Sequence, residues 1–204
     1  LNNASKQEVA LEKILLLEPS EPGGQNLVIN ESREFNHAAF FANGWQSWSS
    51  SGAYQSGSRM RRSNLGLLQN PMVINPGTPE YHTHGVFSSD FFGVLGDLES
   101  RSALLLGFLS QKQHFGSLSA DLRSRPVVKL WANGDEAILR LGAGVSTDWA
   151  ICFPIRIDDP EPLAPYTNAV AEENAIGVLP PPPAGWCSWY YYYENISPDV
   201  ISDN

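Results

Sequence analysis

The chain has 204 residues, 42% of them apolar, enough to bury a sizeable core in one large domain or in one domain and part of another. Its 22 acidic residues outweigh 13 basic ones for a net charge of −9, which argues against a nucleic-acid partner because little basic surface exists to neutralise phosphates. The longest apolar run, Ala103 to Leu109, falls far short of the roughly 20 residues a membrane-spanning helix needs, and two cysteines, Cys152 and Cys187, cannot make a disulfide scaffold.

Taken in order, Leu1 to Ser5 lacks the basic-then-apolar pattern of a signal peptide, and free thiols fit a cytoplasmic home. Glu8 to Glu18 is an apolar run closed by Pro19, Pro22, Gly23 and Gly24, and is read as a strand. Leu27 to Ile29 and Phe35 to Phe41 are short strand candidates. Asn43 to Gly57 is rich in Gly, Ser and Asn and reads as a loop carrying Trp45, Trp48 and Tyr54. Arg59 to Pro79 is irregular, broken by Pro71, Pro76 and Pro79. Phe91 to Leu98, Ala103 to Leu109, His114 to Leu122 and Trp149 to Ile157 read as strands. Asn133-Gly134 between Val127 to Trp131 and Ala137 to Leu141 predicts a hairpin turn. Short strands at this spacing indicate a β-sandwich over residues 1–160.

The period then changes. Leu163, Tyr166, Thr167, Val170 and Ala171 fall at helical spacing, with Pro162 and Pro165 ahead and Gly177 beyond, which predicts a connector helix over Leu163 to Ala175 within a linker spanning 161–179. Pro180 to Pro183 stop it. The aromatic run Gly185 to Tyr193 reads as a buried strand. Ser197, Pro198 and Asp199 have the chemistry of a helix start, Ser197 as cap. The fold expected is mostly β: a sandwich, a connector helix, then the truncated start of a (β/α)8 TIM barrel over 180–204.

Chemistry-bearing residues are few. At the carboxyl end of a barrel's first strand, Trp189 and the tyrosines would face the mouth, where an indole packs against the C–H face of a pyranose; Trp186, nearer the start, has core packing as its expected role. Two indoles in a Gly/Ser loop, Trp45 and Trp48, fit a contact surface as well as a hydrophobic plug. His82 and His84 share a strand face at spacing two, but no third metal ligand accompanies them. Arg59, Arg61 and Arg62 form a small basic cluster read as a solvated loop. Asp90 is expected to pair or cap locally, Cys152 to be buried and inert, and Cys187 to point into packing.

Three motifs carry a resemblance. Gly185-Trp186-Cys187-Ser188-Trp189-Tyr190 with Tyr191 to Tyr193 resembles the first barrel strand of microbial alpha-galactosidases of glycoside hydrolase family 36. Asn43 to Ser49 resembles a loop in the amino-terminal sandwich of the same enzymes, and Ser89-Asp90-Phe91-Phe92 followed by Leu106 to Ser110 resembles a further sandwich segment. One departure is Tyr191, where the family often has His.

The resemblance implies an amino-terminal β-supersandwich ahead of a catalytic barrel, and retaining hydrolysis of terminal alpha-galactosides by two carboxyl groups roughly 5–5.5 Å apart. Both are aspartates of later barrel strands in the family, so no carboxylate of this chain inherits either role and the chain alone is expected to be inactive. Trp48 and Trp189 are the implied walls of the sugar pocket, with Tyr190 and Tyr191 as lesser candidates. The implied partners are a galactoside-type sugar, the chain's own barrel, and further copies assembled through the sandwich; no cofactor or metal is implied, and neither nucleic acid nor membrane. The alternatives are a sandwich that itself binds carbohydrate or mediates oligomerisation, and a related enzyme acting on alpha-N-acetylgalactosaminides or making raffinose-type sugars.

Overall fold

In the computed structural model, residues 1–18, 37–61, 63, 67, 73, 75–178, 180–181, 184–185, 187 and 189–202 are described. Two antiparallel sheets dominate. The strands are β1 (Val9–Leu17), β2 (Ala38–Ala42), β3 (Gly52–Gln55), β4 (Val86–Asp90), β5 (Phe92–Asp97), β6 (Ser102–Phe108), β7 (Gly116–Asp121), β8 (Val127–Leu139) and β9 (Ala150–Arg156). One sheet has the order β1-β8-β7-β4, the other β3-β2-β5-β6-β9.

The sheets pack face to face because alternate residues of their strands are apolar. Phe40, Leu95, Leu104, Leu106 and Phe108 of the five-stranded sheet meet Phe87, Leu118, Leu130 and Ala132 of the other. Gly116 is required here, since a Cβ on it would lie 2.0 Å from the Phe108 ring. Tyr54 stacks on Phe87 with ring centroids 5.1 Å apart.

A third layer covers the five-stranded sheet's other face. Helix α1 (Ala164–Glu173) begins with a proline in its first turn. It lays Leu163, Tyr166 and Val170 against Phe41, Val94, Leu105, Ile151, Phe153 and Ile155. The Tyr166 hydroxyl donates to the Phe108 carbonyl at 2.7 Å, and burial raises the phenol's pKa. The helix ends at Glu173, and Ala175 just beyond its cap takes left-handed backbone (φ 51°), ahead of the expected Gly177.

β4 passes into β5 through one residue, and that residue changes sheets. Phe91 has φ 70°, rare for a bulky side chain. Its amide donates to Gly116 O of the four-stranded sheet, while its carbonyl accepts from Phe108 N of the other.

Several expectations change. β3 lies inside the stretch read as loop, and β4 precedes the expected strand start. The Asn-Gly hairpin is absent, because β8 runs unbroken from Val127 to Leu139. Lys13 pairs with Asn133 and Leu11 with Ala137, so residues 134–136 face only Glu12 as a bulge. Asp135 and Glu136 take positive φ there, and a Cβ on Gly134 would lie 2.1 Å from Leu11 O.

The aromatic run is not a strand either: Trp189–Tyr192 form a helical turn, α2, closed by Tyr193 N donating to Trp189 O at 3.1 Å. A strand needs a neighbour to satisfy its backbone, and no described strand pairs with this run, so its hydrogen bonds are local. Helix α3 (Pro198–Ser202) starts where expected, with Ser197 Oγ accepting from Val200 N at 3.3 Å. Leu27 to Ile29, Arg62, Trp186 and Ser188 lie outside the described residues.

Candidate functional site

The Trp48 loop is held by hydrogen bonds from the strand that precedes the sheet change. Asn43 accepts from the Asp90 amide at 2.8 Å and donates its side-chain amide to Asp90 O at 3.0 Å. Asn43 N donates to the hydroxyl of fully buried Ser89 at 2.8 Å. Beyond it, Gly44 N donates to Ser51 Oγ, and Trp48 N donates to the Gln46 side-chain oxygen at 2.9 Å. Ser63 donates its hydroxyl to Trp48 O. A side chain at 44 would meet Ser49 Cβ at 2.4 Å, so the turn needs glycine.

On this braced loop the two tryptophans diverge. Trp45 turns inward, edge-on to Phe115 with centroids 6.1 Å apart. Trp48 turns outward and is 46% exposed. Trp45 Nε1 and Gln46 Nε2 are buried and find no hydrogen-bond partner among the described residues.

Other elements end at the same pole of the sandwich. β2 finishes opposite Gly93, β6 ends at Phe108 opposite Ala150, and exposed Trp149 stands beside that pair. Asp148 organises the turn that follows β6. Burial opposes its ionised form, but hydrogen bonds from the Ser110 hydroxyl and the amides of His114, Gln113 and Lys112 together outweigh it and hold the carboxyl below its ordinary pKa. The carboxyl end of α1 is tied here too, with Asn174 Nδ2 donating to Leu109 O at 2.8 Å and Lys112 Nζ donating to Glu173 O at 2.7 Å.

Below the loop lies a polar network that sequence reasoning did not anticipate. Trp131 Nε1 donates to Asn133 Oδ1 (2.9 Å), and Asn133 Nδ2 to Ser117 Oγ (2.7 Å). The Ser117 and Thr78 hydroxyls are 2.6 Å apart, and Thr78 donates to Asp90 Oδ1 at 2.6 Å. Asn75 Nδ2 donates to the same oxygen at 3.0 Å. Because Thr78 gives its only proton to Asp90, Ser117 must donate to Thr78, and the chain runs one way. Burial pushes the Asp90 carboxyl above its usual pKa, against the bonds from Thr78 and Asn75. The local pairing or cap expected for Asp90 is not what the carboxylate makes: its partners, Thr78 and Asn75, lie 12 and 15 residues away and are brought to it by the fold, where it is buried. The nearest sequence signal was an acid ending a run of alternating residues, Val86 to Asp90, with Phe87 on the apolar face.

The other predicted residues are not gathered around Trp48. Trp189, Tyr190 and Tyr191 are exposed, Tyr190 at 83%, and the ring contacts of Trp189 and Tyr191 are with Tyr193 and Tyr192. His82 and His84 sit in a turn rather than on a strand, with His84 Nδ1 2.8 Å from Gly57 O. No group of three or more His, Cys, Asp or Glu among the described residues is arranged to hold a metal ion. Cys152 is exposed, not buried, because β9 is the edge strand of the wider sheet; Cys187 is exposed as well. No described helix is long and apolar enough to cross a membrane.

A scan against known protein families finds no family model that matches this chain, and no curated protein matches its sequence.

Proposed function

We propose that this chain is the amino-terminal part of an alpha-galactosidase-like retaining glycoside hydrolase, with a sandwich over residues 1–160, a connector over 161–179 and a barrel beginning at 180. The sandwich docks on that barrel and supplies Trp48 as one wall of a pocket for terminal alpha-galactosides, and Trp189 supplies another. The observation that carries this reading is the presentation of Trp48: an exposed indole on a loop fixed by Asn43, Gly44 and Gln46. An ordered aromatic face loses little conformational freedom when it meets a sugar ring. The buried donors of Trp45 and Gln46, which no described residue accepts, add to it, because such groups are costly unless a further contact completes the loop.

In this reading the catalytic carboxylate pair belongs to later barrel strands, and no Asp or Glu of this chain is assigned to it. The test is hydrolysis of an aryl alpha-galactoside by the full-length protein. Trp48→Ala is expected to lower kcat/KM roughly tenfold or more through lost binding surface, with the melting temperature unchanged. Unchanged kinetics remove Trp48 from the pocket, and absence of hydrolysis by the wild type removes the enzyme reading.

A further inference from the structure

The outer face of the four-stranded sheet carries a polar cluster beside buried Trp131 and Val86. Ser88 and Asp90 on β4, Ser117 and Ser119 on β7, and Asn133 on β8 all point away from the core, and all are buried. Asn75 and Thr78, on the loop that crosses this face, bond to Asp90. Beneath the Trp48 loop a cavity of about 60 Å³ remains, lined in part by Ser49, Ser50, Asn75, Thr78, Ser88 and Asp90. Exposed Arg61 and Glu80 also line it, so it reaches the surface.

The carboxylate in this cavity is used on one side only. Thr78 and Asn75 both donate to Oδ1, and no hydrogen bond from a described residue reaches Oδ2. Oδ2 is not among the buried side-chain atoms left without a partner, so it faces the solvent-reached side of the cavity, where a ligand hydroxyl would replace water. The volume exceeds the roughly 10–15 Å³ that one water occupies, so a group larger than a single water fits. Ser49 already donates to Val73 O, and Ser50 lies 3.5 Å from Ser63, whose proton goes to Trp48 O, so these two hydroxyls offer a ligand only their oxygen lone pairs.

We propose that this cavity is a binding site for the hydroxyl edge of a small polyol or of a sugar ring, with Asp90 Oδ2 accepting from one or two neighbouring hydroxyls. A pair of adjacent hydroxyls matches the two lone pairs of one carboxylate oxygen, while the rest of a larger ligand stays outside the mouth. The site lies wholly within the sandwich and does not rest on the enzyme reading.

The experiment is ligand-observed saturation-transfer NMR on the 204-residue chain with glycerol and with D-galactose. Variants are Asp90→Asn, which exchanges an acceptor for an amide, and Ser50→Leu, which fills the cavity; thermal melts check that both fold. The expected result is saturable binding of at least one probe, weakened roughly tenfold by Asp90→Asn and abolished by Ser50→Leu. Failure of both probes to bind overturns the proposal, as does binding indifferent to Asp90→Asn and Ser50→Leu. A melting temperature that rises with Na⁺ or K⁺ in the wild type but not in Asp90→Asn also overturns it, by making the cavity a cation site.

Discussion

The two sheets of the sandwich are covered in opposite ways. The outer face of the five-stranded sheet is apolar and partly covered by α1 through Leu163, Tyr166 and Val170. The outer face of the four-stranded sheet is lined with Ser, Asn and Asp, and side chains of the 75–78 loop are bonded into it. A dry layer is held by area and shape, so its strength is spread over many contacts. A polar layer is held by directed bonds, and any oxygen left unused becomes a place for another molecule. The comparison places stability with the helix side and ligand chemistry with the loop side.

Mutations can break that division. The largest effect is expected from Tyr166→Ala, which removes a side chain 3% exposed from the helix layer and should cost about 3–5 kcal/mol, read as a fall in denaturant midpoint. Asp148→Ala comes next, at about 2–3 kcal/mol, because the Ser110 hydroxyl and three amides lose their acceptor. Its pH signature has a definite sign. The folded carboxyl lies below its ordinary pKa, so its contribution is complete above about pH 4 and fades as pH falls through the folded value. Urea melts from pH 7 to pH 3 should therefore converge for wild type and Asp148→Asn at the acid end. Tyr166→Phe keeps the ring but leaves the Phe108 carbonyl short of a donor, for a loss of about 1–2 kcal/mol.

Asp90→Asn should behave in the opposite sense. The folded Asp90 carboxyl titrates above its ordinary value, so the native state holds that proton more tightly than the unfolded chain. Wild-type stability then gains from this group as pH falls through the raised value, and the gain is complete below about pH 4. The melting temperature of Asp90→Asn relative to wild type should be highest near pH 7 and decline toward pH 4. A difference that grows toward pH 4 would show that the carboxylate is stabilised by its surroundings rather than opposed by burial. Smallest of all, Trp48→Ala should leave stability within about 0.5 kcal/mol, since its indole is exposed; a larger loss would make it a packing residue.

Local chemistry was legible in the sequence where it acts alone. Apolar runs located β1, β5, β6, β7 and β9, while proline spacing and a helical period located α1. Ser197 announced its own cap. What was hidden depends on partners far along the chain. Gly52 to Gln55 looks like loop, yet it is a strand because β2 lies beside it. Asn133-Gly134 carries a turn signal, but pairing with β1 and the bonds from Asn133 to Phe115 O and Ser117 hold it in a strand, and the left-handed backbone moves to Asp135 and Glu136. The aromatic run after residue 184 has strand propensity without a neighbouring strand, and propensity alone does not make a sheet. At the site, Trp48 was visible as an indole in a glycine-rich loop. Asp90 was not visible as a buried carboxylate, because Asn75, Thr78 and Ser117 reach it only through the fold.

The anchoring of α1 at the Trp48 pole, by Asn174 on Leu109 and Lys112 on Glu173, has a kinetic side. The chain that follows Ala175 therefore leaves from the end of the sandwich where β6 finishes, and whatever follows it is tethered there. A covalent leash replaces diffusion from bulk with local search, at effective concentrations on the order of millimolar for a short flexible connection. Four prolines stand at 180–183 in the sequence, and proline-rich linkers are semi-rigid, which narrows the volume that a tethered segment searches.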